Sequence, residues 1–116
     1  MEIDANLVIA QIPHMTTKQE QLLSDETRNA MRPHNIGDRL RLVREALGMK
    51  PSEIADTLGI ERTYWSRFEK GSRAVNETTA ALLNERYGVT LDFLVLGKWD
   101  KLPLDLAERM RAISAK

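Results

Sequence analysis

The sequence contains no cysteine, and this excludes two kinds of architecture. Without thiols there is neither a disulfide framework nor a thiolate-ligated metal site. The two histidines, His14 and His34, have no clear ligand partners near them in the sequence, so both are interpreted as ordinary polar residues. We therefore expect no metal ion and no other cofactor. The lack of cysteine also fits a reducing compartment, the cytoplasm.

Long hydrophobic runs are missing as well. No apolar segment approaches the roughly 20 residues that a membrane-spanning helix needs. The beginning, MEID, lacks the basic leader of a signal peptide. The sequence also lacks a phosphate loop, a nucleophile elbow and any cluster with metal-ligand spacing, so no catalytic residue is predicted. The expectation is a cytoplasmic protein that is not an enzyme and does not contact a membrane.

Net charge is missing too, since 17 basic residues balance 17 acidic ones. The distribution is uneven, however. Residues 36–73 carry eight basic and six acidic side chains, a balance of +2, whereas residues 1–35 have a balance of −2 and residues 74–116 are neutral. Attraction to phosphate groups is therefore expected to be weak and sensitive to salt. The length of 116 residues and the apolar content of 42% suit one small helical domain.

The stretch 51–71 predicts two short helices joined by a tight turn. Pro51 suits the first turn of a helix, because the N–H group that it lacks would have no partner there. The apolar residues that follow fall on one helical face, namely Ile54, Ala55 and Leu58. Gly59 can then take the left-handed conformation that a sharp turn needs.

The second of these helices is predicted to span residues 62–70 and to have two different faces. Trp65 and Phe68, three residues apart, form its apolar face, and Gly71 ends it. The remaining face is polar and consists of Arg62, Thr63, Ser66, Arg67 and Lys70. Two helices joined by a turn, with a polar face left over on the second, define a helix-turn-helix.

Three further helices are predicted around this pair. Asn35, with Asp38 three residues on, is interpreted as the cap of a first helix. Its buried face would consist of Leu40, Val43 and Leu47. Asn76 would cap a helix over residues 77–87, ended by Gly88. Thr90 would cap the last one, whose apolar residues close the core: Leu91, Phe93, Leu94 and Leu96.

Both ends of the chain carry apolar stripes whose partner is left open. In the N-terminal extension, residues 1–34, the run 7–12 is either a strand or a helical turn, and Thr16 to Met31 is predicted to be helical. Thr17 and Glu20 have the spacing of a capping box, and Pro33 is expected to break the helix. The extension is either an arm, packed or mobile, or a dimerisation element. In the tail, residues 98–116, a short helix would present Leu104, Ala107, Met110 and Ile113. Such a short helix must pack on its own domain, on the N-terminal arm or on a second subunit.

Residues 36–97 resemble the Cro and phage-repressor type of helix-turn-helix regulator, the xenobiotic-response-element-like class. The resemblance is carried by IGDRLRLVRE, Ala55, LGI at the turn, SRFEKGSR, a fourth helix ending in YG, and LDFLVLG. It implies an all-α fold, with a five-helix lambda-repressor-like domain over residues 35–97. It also implies a sequence-specific double-stranded DNA-binding transcriptional regulator, a repressor, that binds a palindromic operator as a homodimer.

The resemblance also assigns roles to residues. It places helix 62–70 in the major groove, where the base-reading residues are Arg62, Thr63, Ser66 and Arg67. Arginine is the usual partner of guanine O6 and N7, and threonine can touch a thymine methyl group. The implied contacts to the DNA backbone are Lys50, Ser52, Tyr64, Lys70 and Arg73. Arg44 is expected to form a structural ion pair with Glu69.

The sequence departs from the family pattern at two places near the predicted interface. Lys50 and Pro51 stand where the family usually has Thr-Gln, so a phosphate and base contact is lost. Glu61 stands where a Ser or Thr cap is common, and its carboxylate would be repelled by phosphate. These departures and the zero net charge favour an alternative, a helix-turn-helix domain used as a protein–protein interaction module without specific DNA binding. The cluster Arg62, Arg67, Lys70 and Arg73 favours DNA binding.

Overall fold

The computed structural model describes residues 17–115, and every regular element within this range is helical. A 3-10 turn at Glu20–Leu22 precedes seven α-helices: α1 (Asp25–Ala30), α2 (Pro33–Ala46), α3 (Pro51–Leu58), α4 (Arg62–Lys70), α5 (Glu77–Tyr87), α6 (Leu91–Leu96) and α7 (Leu104–Ser114). The predicted all-α fold with a helix-turn-helix is thereby confirmed. None of the helices in this part of the chain is long and apolar enough to cross a membrane.

Helix α2 is the centre of the domain. It packs most extensively on α4 and α7, and it also contacts α1 and α6. Leu40 and Val43 on α2 are fully buried and meet large side chains from the surrounding helices. Those side chains include Trp65, Leu83, Phe93 and Met110. One apolar core therefore joins every helix from α2 to α7. Removal of the apolar surface of these side chains from water is the main driving force for this packing.

The helix-turn-helix forms as its sequence predicts. Pro51 is the first residue of α3, and Gly59 ends that helix with a φ of 66°. Trp65 and Phe68 on α4 are buried, with ring centroids 6.4 Å apart in an edge-to-face arrangement. Close backbone packing holds α4 on α2, since a Cβ atom at Gly37 would lie 2.7 Å from the carbonyl oxygen of Phe68. Only glycine fits at that crossing.

The caps of α5 and α6 are also as predicted. The Asn76 side chain accepts a hydrogen bond of 2.7 Å from the Thr79 N–H group, and the Thr90 hydroxyl accepts one of 3.1 Å from Phe93. The prediction for the apolar face of α6 was wrong at Leu91, which is 58% exposed. As the first residue of the helix, Leu91 lies at the rim of an open groove and not under a neighbouring helix.

The predicted start of α2 was wrong. The helix begins at Pro33, and Arg32 is its N-cap without a side-chain capping bond. Proline does not break the chain here because the first helical position needs no N–H donor. Asn35 lies inside the helix, where its amide donates a hydrogen bond of 2.6 Å to the Asn29 carbonyl of α1.

The continuous helix predicted over Thr16–Met31 was also wrong, as far as the structure describes that stretch. Leu23 has an extended backbone and separates the 3-10 turn from α1. Ser24 then caps α1, since its hydroxyl accepts a hydrogen bond of 3.1 Å from the Thr27 N–H group. The Thr17 hydroxyl accepts one of 3.2 Å from the Glu20 N–H group, as the capping-box spacing indicates. The apolar run 7–12 lies outside the described residues.

The partner of α7 is the chain's own core. Leu106, Ala107 and Met110 are buried against the domain, and α7 contacts α2. The stripe predicted to begin at Leu104 was therefore wrong at its first member, because Leu104 is 70% exposed. Successive helical residues are about 100° apart, so Leu104 and Leu106 point in roughly opposite directions and only one of them can face α2.

Candidate nucleic-acid interface

Helix α4 turns one face to the core and the other to solvent. Arg62, Thr63, Arg67 and Lys70 are exposed, and Ser66 is half-buried. Trp65 and Phe68 anchor the opposite face, with 0% and 2% of their surface exposed. The four residues predicted to read bases are thus available at the surface of one helix. Their contact with DNA stays a prediction.

An ion pair fixes the C-terminal half of α4 to α2. The guanidinium of Arg44 binds the carboxylate of Glu69 in a two-pronged way, with Nε 2.6 Å from Oε2 and Nη2 3.2 Å from Oε1. The structure thus contains the pair that the resemblance implies. The hydrogen bond to Glu69 raises the pKa of Arg44; burial opposes the shift, and the charge of Glu69 adds to it.

Two further bonds complete this cluster. Arg44 Nη1 donates to the carbonyl of Met49 over 3.0 Å, and the indole N–H of Trp65 donates to Glu69 Oε2. Both charged side chains are mostly enclosed, at 14% exposed for Arg44 and 13% for Glu69. The Arg44–Glu69 pair joins α2 to α4, and the bond to Met49 joins α2 to the loop before α3, so this cluster holds α4 in one orientation.

The residues predicted to contact the DNA backbone lie near the ends of α3 and α4. Lys50 is exposed at the N-cap of α3, and Ser52 is half-buried in the first turn. Glu53 reaches back to accept a hydrogen bond of 2.8 Å from the Lys50 N–H group, a capping role that the sequence interpretation missed. Lys70 is exposed in the last turn of α4.

Tyr64 and Arg73 contact each other. The Arg73 guanidinium carbon lies 4.1 Å from the centroid of the Tyr64 ring, although nine positions separate the two residues in the chain. Tyr64 is half-buried and Arg73 is exposed. The loop after α4 is therefore folded back on that helix.

The basic residues of this surface have no acidic partner in the part of the chain that is described. Ion pairs within residues 17–115 involve Arg28, Arg41, Arg44 and Arg109. None of them involves the five basic residues assigned to the interface, which are Lys50, Arg62, Lys70, Arg67 and Arg73. Their charge is consequently not neutralised within that range and is open to an anionic partner.

Glu61 is the unfavourable element of this surface. It is exposed at the N-cap of α4, and its side chain makes no capping hydrogen bond. Its charge therefore faces solvent beside the first turn of the candidate recognition helix, where a DNA phosphate would be repelled. A carboxylate can also accept a hydrogen bond from cytosine N4.

Arg39 is a structural residue that the sequence interpretation missed. Its Nη1 donates to the carbonyl oxygens of Ala30 and Leu94, each over 2.8 Å, and so joins α1 to α6. A cation next to the carbonyl ends of two helices is favourable. Burial lowers the pKa of Arg39, and the charge of Asp38 opposes the shift. No local pattern reveals this role, because Leu94 is far away in the sequence.

An open, mostly apolar groove of about 790 Å³ lies beside α5 and α6. The side chains that shape it include Met31, Ile36, Val75, Ala81, Leu91 and Leu94. Arg73 stands at its edge, so the groove adjoins the loop that follows α4. Within the described range, no group of three His, Cys, Asp or Glu residues could hold a metal ion.

Comparison with known proteins gives the class of this chain. A family model described as a helix-turn-helix domain matches residues 35–94, which is more than half of the sequence. The chain belongs to this helix-turn-helix family.

One particular relative is the SPbeta prophage-derived uncharacterized HTH-type transcriptional regulator YonR of Bacillus subtilis (strain 168). The chain is 33% identical to it over 70 residues, covering 60% of this chain and 65% of the relative. About a third of the relative therefore has no counterpart in the alignment. No solved structure matches the chain significantly.

Proposed function

We propose that the protein is a sequence-specific double-stranded DNA-binding transcriptional regulator that acts as a repressor in the cytoplasm, without catalysis and without a cofactor. The observation that carries this proposal is α4, which exposes Arg62, Thr63 and Arg67 while its other face is locked to the core. Membership in the helix-turn-helix family and the similarity to a protein named as a transcriptional regulator support it.

In this proposal α4 enters the major groove as a rigid unit. Arg62, Thr63, Ser66 and Arg67 read base edges, because the major groove presents a distinct pattern of donors and acceptors for each base pair. The DNA backbone is bound by Lys50, Ser52, Tyr64, Lys70 and Arg73. The Arg44–Glu69 pair fixes α4 before binding, so little ordering remains to be done on the DNA.

Selection of bound sequences from a random DNA pool tests this proposal. Once an operator is known, Arg67→Ala should lose about 1–3 kcal/mol of discrimination against the wrong base at one position, because a bidentate contact is removed. Arg73→Ala should instead weaken binding to all sequences about equally and reduce the salt slope by about one unit. Titrations of operator and mutated duplexes at several salt concentrations measure both effects.

Arg109→Ala is a matched control, because this exposed arginine lies on α7 and pairs with Asp105. It should leave affinity and preference unchanged. An Arg67→Ala protein that kept its full preference for the operator would show that Arg67 does not read a base.

A homodimer on a palindromic operator completes the proposal. A single module buries too little surface to select one site in a genome, and two copies read half-sites about one helical turn apart. The apolar residues of α6 and the tail adjoin each other in the sequence, which makes this region the favoured candidate for the interface. Since the stripe of α7 is used in its own core, we place the interface around α6, where Leu91 is 58% exposed, with Leu104 as a second exposed apolar side chain.

Light scattering tests the dimer. The full chain should be dimeric at concentrations well above operator saturation, and Leu91→Asp should shift it towards the monomer, because a charge in an apolar interface is costly. Leu22→Asp is a control, since Leu22 is 85% exposed in the N-terminal extension. A monomeric full chain would contradict the proposal, and dissociation by Leu22→Asp alone would move the interface to the extension.

The protein-interaction module is the second candidate function. The apolar groove beside Leu91 favours it, because an open apolar surface is typical of protein contacts. The two functions differ in the selection experiment. A chain that enriches no duplex even at low salt would support the module and refute the regulator.

A further inference from the structure

Arg73 is held at a particular place by the fold around it. Gly71 ends α4 with a φ of 75°, and a Cβ atom there would lie 2.7 Å from the backbone nitrogen of His34. The reversal is closed by a hydrogen bond of 3.0 Å from the Ser72 N–H group to the Arg67 carbonyl. The chain is thereby directed back towards α4, where Arg73 meets the face of the Tyr64 ring at 4.1 Å.

We infer that Tyr64 is a positioning residue for DNA binding, because its ring holds the Arg73 guanidinium against α4. This inference rests on the proposed function and changes the role of Tyr64 within it. In the interface described above, Tyr64 contacts the DNA backbone itself, for which its hydroxyl group would be the hydrogen-bond donor. In the present inference the Tyr64 ring positions Arg73, and Arg73 binds the phosphate.

The contact of Arg73 with the Tyr64 ring leaves the guanidinium able to bind a phosphate group. A cation over an aromatic face is attracted by the electrons of the ring, and this contact does not neutralise the charge. The guanidinium also has five N–H donors in its plane, so donors remain available to phosphate oxygens. A carboxylate partner would orient Arg73 equally well but would cancel its charge, and within residues 17–115 none lies in ion-pair range.

The position of Tyr64 on α4 determines where the charge of Arg73 is held. Tyr64 lies in the first turn of the helix, and residues three and four apart on a helix are neighbours, so Arg67 is next to it. The Tyr64 contact therefore brings the charge of Arg73 from the loop to the side of α4 on which Arg67 also lies. A long side chain that is already ordered loses less entropy when it binds. Arg73 should thus act together with the recognition helix.

Binding of the selected duplex by Tyr64→Phe, Tyr64→Leu, Arg73→Ala and the double variant Tyr64→Leu/Arg73→Ala tests the inference. Tyr64→Phe keeps the ring and its contact with Arg73, so it should bind more tightly than Tyr64→Leu. Tyr64→Leu should weaken binding by about 2- to 5-fold, the range expected for an exposed contact of this kind. The double variant should bind no more weakly than Arg73→Ala alone, because the ring acts only through Arg73.

Two outcomes of these titrations would overturn the inference. Equal losses of affinity for Tyr64→Phe and Tyr64→Leu would show that Tyr64 acts through its hydroxyl group and not through its ring. Additive losses in the double variant would show that the ring acts independently of Arg73. A loss of affinity that comes from instability of Tyr64→Leu would also appear in the Arg73→Ala background. Urea unfolding of Tyr64→Leu measures that instability separately.

Proton NMR of the free, full-length protein gives a readout that needs no DNA. The ring should shift the δ-methylene protons of Arg73 upfield in the unmodified chain and in Tyr64→Phe, and the shift should vanish in Tyr64→Leu. Arg73 signals that are the same in all three proteins would overturn the contact while leaving the proposed function intact. A chain that selects no duplex would instead refute the proposed function, and the phosphate role of Arg73 with it.

Discussion

Met110→Ala is expected to lower the free energy of unfolding by about 2–5 kcal/mol, the range for truncating a fully buried methionine. Met110 lies on α7 with 0% of its surface exposed, in the core that α7 shares with α2. The substitution removes the apolar contacts of the side chain and leaves a cavity that the surrounding helices fill only in part. Urea unfolding followed by circular dichroism measures the loss.

Leu104→Ala provides the comparison on the same helix. Leu104 is 70% exposed, so its truncation should change stability by no more than about 0.5 kcal/mol. Equal effects of the two substitutions would mean that α7 is not part of the core. If Met110→Ala has the larger effect, α7 is part of the core, and a chain ending at Gly97 would expose the surface of α2 on which α7 packs. This is why the dimer is tested with substitutions at the surface and not with truncated chains.

The helix-turn-helix could be predicted from the sequence because its signals are local. Proline at the first position of α3, glycine at the turn and apolar residues at helical spacing all act within a few residues of one another. The start of α2 could not be predicted in the same way. Pro33 can end one helix or begin the next, and the local pattern does not decide between the two. In the structure it begins α2, and Asn35 inside that helix bonds to Asn29 of α1.

The apolar face of α7 shows a second limit of sequence patterns. A stripe through Leu104, Ala107 and Met110 and a stripe through Leu106, Ala107 and Met110 both have helical spacing. The packing surface of α2 selects the second, and that surface is distant in the sequence. Tertiary contacts therefore decide which face of a short helix is buried.

In the candidate site, too, features set by local spacing could be predicted and features set by tertiary contacts could not. The outward face of α4 follows from the positions of Trp65 and Phe68, so the surface that carries Arg62 and Arg67 could be predicted. The contact of Arg73 with Tyr64 depends on how the loop after Gly71 turns, and spacing alone does not show it. Spacing alone likewise does not reveal the role of Gly37, whose lack of a side chain allows α2 to approach α4.

Glu69→Ala is expected to destabilise the domain more than Arg44→Ala. Arg44→Ala should cost roughly 1–3 kcal/mol, because Glu69 loses its charged partner but still accepts from the Trp65 indole. Glu69→Ala removes the acceptor of the Trp65 N–H group and of Arg44 Nε and Nη2, while Arg44 Nη1 keeps its bond to the Met49 carbonyl. The Arg44 charge would then be enclosed and unpaired, and such losses reach about 3–5 kcal/mol when burial is complete. With both side chains slightly exposed, we expect roughly 3 kcal/mol for Glu69→Ala.

A double-mutant cycle separates the pair from the two residues taken alone. The double variant Arg44→Ala/Glu69→Ala should be less destabilised than the sum of the single variants, because it no longer encloses an unpaired charge. Arg41→Ala and Glu45→Ala serve as a matched cycle, since that pair on α2 is exposed and its groups lie 4.0 Å apart. Its coupling should be near zero. Additive losses for Arg44 and Glu69 would contradict the coupling and would leave the burial of Trp65 and Phe68 as the main interaction that holds α4 on the core.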